Sequence, residues 1–356
     1  MINPITESRL IERLTNQFRR SPLQINRLQE ADAEIVRFGN VKTDYLAATT
    51  DSIVEEISTG LYTDPYLIGW MTVMVNMSDL AAVGAHPLGI LISETLPSNP
   101  TEEWIARLQQ GIEESCEACG SFVLGGDTNA GVQLCMTGCA IGVINPRSIL
   151  TRVGAIPGDL LYSSDFLGTG NAFALQRYLS PHDGWPEEVH YQPYARIREG
   201  ESIAGIASSC MDTSDGVLAT LDQLSRLNGV GFELEPDLDS ILRPHARLAA
   251  ANAGIAPWLL LAGHHGEFEL LFTVPVQNEM KLLEAAEKLS WRPIRMGRVV
   301  QGDAIRLTLY GKQVDVDTAS IRNLAMSCND NIEKYIQELL SVDENYKKGV
   351  FNNVYA

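Results

Sequence analysis

The sequence predicts a two-domain protein of mixed α/β (α+β) class, and three observations carry that prediction. The chain has 356 residues, more than the ~250–300 that one hydrophobic core usually serves. Short apolar, strand-like runs alternate with helical patterns along most of its length. Between Asn145 and Gly158 the chain is punctuated by Pro146, Gly154, Pro157 and Gly158, after which a new alternation starts. Residues 1–150 are therefore expected to form one unit and residues 151–325 another, with a helix and loose tail over 326–356.

In the first unit, residues 5–30 place Leu10, Ile11, Leu14 and Phe18 on one stripe and predict one or two amphipathic helices. Residues 45–57 read as a strand carrying Thr49-Thr50-Asp51. Tyr66 to Val83 is a long apolar stretch interrupted by Asn76, Ser78 and Asp79, and Gly84 with Pro87 supplies a helix stop. Leu88 to Leu96 reads as a strand. Thr101 suits a helix N-cap, with Glu102 and Glu103 in the first turn. Ser121 to Leu124 is a short strand running into Gly125-Gly126-Asp127-Thr128, and Gln133 to Ile144 is another.

In the second unit, Leu160 to Ser164 is a strand, Gly168 to Asn171 a turn, and Ala172 to Leu179 a helix. Residues 180–195 read as a loop. Glu199 to Ser209 and Gly216 to Leu227 read as helices flanking the turn Met211-Asp212-Thr213-Ser214-Asp215. Phe268 to Val274 predicts a strand, Glu279 to Leu289 a helix, and Ile305 to Val314 a hairpin around Gly311.

Composition narrows the function classes. The hydrophobic fraction is 45% and the charged fraction 20%, as in ordinary globular proteins. No apolar run reaches the ~20 residues that a membrane-spanning helix needs. Residues 1–20 lack the apolar core of a signal peptide, so a cytoplasmic enzyme is expected. A formal net charge of −18, with no Lys/Arg cluster, argues against nucleic acid. An anionic small substrate remains acceptable where metal ions neutralise it. Cys116 and Cys119 form a CxxC and Cys135 and Cys139 a CxxxC, but helical and strand patterns suit buried thiols better than a zinc knuckle.

Four segments share one design, an aspartate beside small or hydroxyl residues at the end of an element: Thr49-Thr50-Asp51-Ser52, Asn76-Met77-Ser78-Asp79, Gly125-Gly126-Asp127-Thr128 and Asp212-Thr213-Ser214-Asp215-Gly216. Magnesium takes oxygen ligands, usually one or two carboxylates with waters and substrate phosphates. Gathered carboxylates repel one another unless divalent cations sit among them. Adjacent glycines let backbone N–H groups approach phosphate oxygens. Taken singly, each segment also fits a turn or a cap. Gly168-Thr169-Gly170-Asn171, which opens a helix, fits either an anion site at the helix N-terminus or an ordinary strand–helix turn. The adjacent His264 and His265 fit either a general base or a loop without chemistry.

The segments TTDSIVE (49–55), VNMSDLAAVGAHP (75–87), LGGDTNAG (124–131), LTRVGAIPGD (150–159), MDTSDGVLATLDQL (211–224), NGVGFEL (228–234) and GEFELLFTVP (266–275) resemble, in order, the aminoimidazole-ribonucleotide synthetase-like superfamily. Within it they resemble the thiamine-monophosphate kinases most. The resemblance implies an N-terminal α/β domain whose strands form a barrel across a homodimer, a C-terminal α+β domain, and ATP held between them. It implies magnesium ligands at Asp51, Asp79, Asp127 and Asp215, with Asp212 added, and a phosphate path along Thr50, Gly126, Thr128 and Ser214. Arg152 becomes a phosphate partner, since its planar fork binds oxyanions bidentately; its alternative is an interdomain ion pair. Asn76 would contact nucleotide or orient Asp79, and Asp215 and Arg152 would carry catalysis.

The departures fall on the acceptor side and at the first metal ligand. The kinases have Gly-Asp-Asp before the Thr-Asp strand, where this chain reads Gly39-Asn40-Val41 with Asp44 following. Their Glu-Gly-(apolar)-His-Phe becomes Glu55-Glu56-Ile57-Ser58-Thr59, and their Gly-Gly-Glu-Asp-Tyr-Glu becomes His264-His265-Gly266-Glu267-Phe268-Glu269. Glu55, His264, His265 and Glu267 are thus expected to meet the acceptor. The resemblance implies an ATP- and magnesium-dependent phosphotransferase acting on a small phosphorylated metabolite, with thiamine monophosphate the named acceptor. Two other readings stay open: a cyclo-ligase-type enzyme that activates an amide with ATP, and an ATP-binding partner protein without catalysis.

Overall fold

The computed structural model describes residues 21–37, 45–179, 188–328 and 331–352, together with Ile5, Thr6, Arg9 and Glu12. The predicted stripe Leu10, Ile11, Leu14 and Phe18, and the stretch Gly39-Asn40-Val41 with Asp44, lie outside the described residues. Residues 21–30 form turns and a bridge instead of continuing a helix.

The first sheet takes β1 (Glu34–Arg37), β2 (Tyr45–Ser52), β3 (His86–Pro97), β4 (Val123–Gly131) and β5 (Cys135–Ile144), in the order β1-β2-β5-β3-β4. All neighbours are antiparallel except the β3/β4 pair. The strand predicted over 45–57 stops at Ser52, and α1 (Val54–Ser58) follows. Gly-Gly-Asp-Thr does not form a turn after a strand. It lies inside β4, which runs on to Gly131.

The long apolar stretch becomes α2 (Pro65–Ala82), opened by Pro65 at the first helical position and by Asp64, whose side chain accepts from the Tyr66 N–H. It is apolar all round and buried on nearly every side. One side meets α3 (Glu102–Ala118), capped by Thr101 as predicted, and another meets β2 and β5. α2 also reaches elements of the second half, and so carries Asn76, Ser78 and Asp79 to the seam.

The second half supplies β6 (Leu160–Ser163), α4 (Thr169–Tyr178), α5 (Ile197–Ile203), β7 (Ser209–Asp212), α6 (Val217–Asn228), β8 (Gly231–Leu234), α7 (Pro244–Asn252), α8 (Leu259–Ala262), β9 (Leu270–Val274), α9 (Glu279–Lys288), β10 (Ile294–Val300), β11 (Ile305–Leu309), β12 (Lys312–Asp315), α10 (Thr318–Ser327) and α11 (Ile332–Asn352). Its sheet runs β12-β11-β8-β10-β6-β9-β7. The helix predicted over Glu199 to Ser209 ends at Ile203, because the chain turns there and enters β7, an edge strand whose last residue is Asp212. The hairpin over β11 and β12 forms as predicted. α2 packs against β7 and α5, so the end of β2, the end of α2 and the end of β7 converge.

Candidate active site

At that convergence Asp32, Asp79 and Asp212 each offer a carboxylate oxygen, all within 4.8 Å of one another. Asp32 precedes β1, Asp79 lies in the last turn of α2, and Asp212 ends β7. Hydroxyls fix two of them: Thr49 donates to Asp79 Oδ2 at 2.5 Å and Ser78 to Asp212 Oδ2 at 2.5 Å. Ser214 donates to Asp212 Oδ1 at 2.9 Å. Asp215 stands close enough to Asp51 to raise its proton affinity.

The electrostatics are those of crowded acids. Burial, then the neighbouring Asp212, Asp32 and Asp51, holds the Asp79 carboxyl well above the usual carboxylate range. Burial and Asp32 push Asp212 up to about 7, against the pull of Ser78 and Ser214. Burial raises Asp51 to about 6, with Asp215 and Glu55 adding to it. Asp51 and Asp215 are open to solvent, but they lie in a cleft whose walls still desolvate them. A set of hard oxygen donors that resists carrying its own charge fits a hard divalent cation.

Asp32 was not visible as a candidate in the sequence. It precedes β1, ahead of Gly39-Asn40-Val41, and joins Asp79 and Asp212 there. Its signal was Glu30-Ala31-Asp32 just before the apolar strand residues Ile35 and Val36. Arg152, expected as a phosphate partner, makes the alternative contact: its Nε and Nη2 donate to the two oxygens of Asp32 at 3.1 and 3.0 Å. The Asp32 side chain is buried and that of Arg152 largely so, and this bidentate pair fixes Asp32 across the seam.

Asn76 is fully buried and orients Asp51, not Asp79: its Oδ1 accepts the Asp51 N–H at 2.9 Å and its Nδ2 donates to the Thr72 carbonyl. Thr50 donates to the Gly138 carbonyl. Asp127 is not brought to the cluster. Strand register aligns Ser52, Thr137, Ser93 and Asp127 in one row, whereas Asp51 belongs to the next row. Alternation puts adjacent rows on opposite faces. Asp127 thus lies on the face away from α2, three strands from β2. Gly126 and Thr128 share the exposed β4 strand, and Thr128 donates to Glu94.

Beside the cluster a cavity of about 380 Å³ is lined by Glu55, Glu56, Thr59, Tyr178, His264 and Tyr335, among others. It unites three of the four expected acceptor residues, Glu55, His264 and His265. His264 opens into it and stands edge-on to Tyr335, ring centroids 4.5 Å apart. Crowding by the walls pushes His264 down to about 4. His265 is packed among Tyr62, Phe173 and Tyr191 and is pushed down to about 3 by burial. Both imidazoles are neutral at pH 7. Glu56 Oε2 is buried without a hydrogen-bond partner among the described residues, and burial followed by Glu55 and Asp51 raises its carboxyl to about 7. Glu267 is not in this cavity; it points to the other side of the 263–269 segment. The thiols Cys116 and Cys119 are buried and pushed up to about 11 and 12 by that burial.

The family described as AIR synthase related protein, N-terminal domain, matches residues 30–144, a range that takes in Asp32, Asp51, Asp79 and Asp127. The thiamine-monophosphate kinase of Archaeoglobus fulgidus is 32% identical over 288 residues, covering 80% of this chain and 87% of its own. That of Haemophilus influenzae is 30% identical over 287 residues, covering 77% and 85%. Among solved structures, AaThiL complexed with AMPPCP and TMP aligns with a TM-score of 0.70 at 25% identity, over 86% of this chain and 93% of that one. Likeness of this extent covers most of the chain. The chain belongs to the thiamine-monophosphate kinase family.

Proposed function

We propose that this protein transfers the γ-phosphoryl group of ATP to the phosphate of thiamine monophosphate, giving thiamine diphosphate and ADP. The observation that carries the reading is the trio Asp32, Asp79 and Asp212 opening beside the acidic, aromatic cavity at Glu55 and Glu56. Asp32, Asp79 and Asp212, with Asp51 and Asp215 at the mouth, would hold magnesium; bound there, it would neutralise nucleotide phosphate oxygens as charge develops. The chain's own part is positioning. Thr49, Ser78 and Ser214 fix carboxylate rotamers, Arg152 fixes Asp32, and Asn76 fixes the Asp51 backbone. An acceptor phosphate is already nucleophilic at neutral pH, so the neutral state of His264 and His265 is no obstacle. Thiamine carries a quaternary thiazolium ring, and a cavity with unpartnered Glu56 Oε2 beside Tyr178 and Tyr335 supplies both charge and ring faces for such a cation.

The face of the first sheet away from α2 supports a homodimer. Leu91, Phe122, Val123, Leu124 and Val132 are exposed there or at its edge, with Phe122 at 71% and Val132 at 95%, and apolar patches of this kind mark interfaces. A second copy laid on this face would cover it and bring the partner's β4, with Asp127 and Thr128, toward the nucleotide. The two sheets support a division near residues 145–158. Sedimentation is expected to show twice the 39.1 kDa chain mass; a fully active monomer would refute the shared-site part.

The direct test incubates the full chain with ATP, magnesium and thiamine monophosphate and separates the products. Equal amounts of ADP and thiamine diphosphate are expected. ADP with free phosphate and no thiamine diphosphate would transfer the assignment to amide-activating chemistry.

A further inference from the structure

The cavity beside the metal-site acids has two unlike ends. Glu55 and Glu56 of α1 form one end, next to the acids: Glu55 stands close enough to Asp51 and Asp215 to raise the proton affinity of both. The other end is built by Ala325, Met326, Cys328, Asn331, Ile332 and Tyr335, from the close of α10 and the opening of α11, and none of these carries a charge. A series of neighbours leads from one end to the other. Thr59, just past α1, meets the Tyr178 hydroxyl at 3.3 Å, and α4, which carries Tyr178, packs against α11. The backbone N–H of His264 donates to the Tyr335 hydroxyl at 3.1 Å, which ties the histidine to the uncharged end.

The uncharged end is accessible and has polar groups to spare. Met326 is 43% exposed, and Asn331 and His264 are exposed as well. Asn331 Oδ1 accepts the Lys334 N–H at 2.9 Å in the first turn of α11, which leaves Nδ2 with no partner among the described residues. A neutral imidazole offers one donor and one acceptor, and crowding by the walls keeps that of His264 neutral at pH 7. A thioether packs well on a ring, and an amide donor beside a donor–acceptor pair suits ring nitrogens and an amine. This combination fits a flat, uncharged amino-heterocycle and gives nothing to a second cation or to an anion.

The order of groups in the acceptor matches the order of walls. In thiamine monophosphate an ethyl link joins the phosphate to the cationic thiazolium ring, and a methylene on that ring's nitrogen carries a neutral aminopyrimidine. A phosphate directed at the metal-site acids and a thiazolium ring at Glu55 and Glu56 leave the aminopyrimidine to the far end of the cavity. We infer that the close of α10 and the opening of α11 form a distinct subsite for this aminopyrimidine, and that Asn331 and Met326 are the residues that select it. The inference rests on the reading of this cavity as the acceptor site. It assigns the C-terminal helices the choice of acceptor, while the carboxylate cluster serves the phosphoryl transfer common to any acceptor.

The test titrates the full chain calorimetrically, with magnesium and a non-hydrolysable ATP analogue present, against two ligands: thiamine monophosphate, and its N-methylthiazolium counterpart, which keeps the phosphate and the cationic ring but lacks the aminopyrimidine. Asn331→Asp retains the oxygen that caps α11 and removes the donor; its added charge acts on the thiazolium that both ligands share. The preference for thiamine monophosphate over the N-methyl ligand should fall about fivefold in Asn331→Asp, the worth of one hydrogen bond, and about threefold in Met326→Ala, that of a sulfur–ring contact. Affinity for the N-methyl ligand should stay at the parent value in Met326→Ala. A parent that binds the two ligands equally, or a preference unchanged in both variants, would overturn the inference. Product assays on the parent separate the two readings. Thiamine diphosphate formed by a parent whose preference survives both substitutions keeps the kinase and removes the subsite. The expected binding pattern in a parent that forms none keeps the subsite and removes the kinase.

Discussion

Two clusters of buried charge lie on either side of the 263–269 segment, and they are built on opposite plans. In the first, Asp32, Asp79 and Asp212 lie together and, among the described residues, the guanidinium hydrogen-bonded there is that of Arg152, to Asp32. In the second, Asp165 and Glu269 are met by two guanidinium groups, Arg196 and Arg243, and Ser164 also donates to Glu269. Buried charge is tolerated where partners compensate it and destabilises where they do not. The first cluster is a site that cations complete; the second is already complete within the chain. The clusters differ in the local ratio of guanidinium to carboxylate, and the second is also the more exposed, at Asp165 and Arg243.

The comparison breaks most visibly under substitution of the first cluster. Asp79→Asn and Asp212→Asn should each lower kcat by about 10³-fold or more, in line with the loss of a transition-state electrostatic contact. The same variants should unfold at a higher temperature than the parent when magnesium is chelated, because one member of a repelling set is gone. Steady-state kinetics and calorimetric melting read both. An Asp79→Asn protein with normal turnover would remove the cluster from the mechanism. In the second cluster the signs reverse: Arg196→Met should cost about 3 kcal/mol of stability by leaving Glu269 buried and unpaired. Denaturant unfolding measures it, and an unchanged midpoint would show that Glu269 finds another partner.

The plan of the first cluster was half legible in the sequence. Asp51, Asp79, Asp212 and Asp215 could be found because small and hydroxyl neighbours marked them as ends of elements. Asp32 could not, since no glycine or hydroxyl residue stands beside it and only the fold brings it to Asp79 and Asp212. Asp127 was legible as an acidic residue beside glycines, but its face was not, since that depends on register with three other strands. Arg152 had two readings that only a partner could decide, and the partner was Asp32. Among elements, long apolar α2 and capped α3 were clear, whereas β7 was split between the end of a predicted helix at Ser209 and a predicted turn from Met211, because four residues ahead of an acidic turn carry little period. The second cluster was invisible, since Asp165, Arg196, Arg243 and Glu269 come from four distant places joined only by the fold.

A pH series sharpens the contrast by a smaller amount. Asp51 and Asp212 are raised to about 6 and about 7, above the ~4 of an unfolded aspartate. A raised acid favours the folded chain fully below its unfolded pKa and loses that contribution as pH rises through the folded value. The metal-free chain should therefore lose melting temperature from pH 5 to pH 8. Magnesium should restore it, with a larger rise at pH 8 than at pH 5, because the ion binds the ionised form. Equal magnesium shifts at both values would mean that the cluster is already ionised without a cation.

The smallest effect separates the acceptor cavity from the metal cluster it adjoins. Glu56→Gln keeps shape and volume but removes the charge that faces Tyr178 and Tyr335 across the cavity. If that charge binds the thiazolium ring, the KM for thiamine monophosphate should rise about tenfold, the ~1.4 kcal/mol of an exposed-to-half-buried cation contact, with the KM for ATP and kcat near the parent values. A fall in kcat with both KM values unchanged would place Glu56 with the carboxylates of the cluster instead, acting on the transferred phosphoryl group. The split between KM and kcat therefore decides where the acidic cleft ends and the acceptor pocket begins, a boundary that Glu55 and Glu56, adjacent in sequence and lining the same wall, leave open to this single substitution.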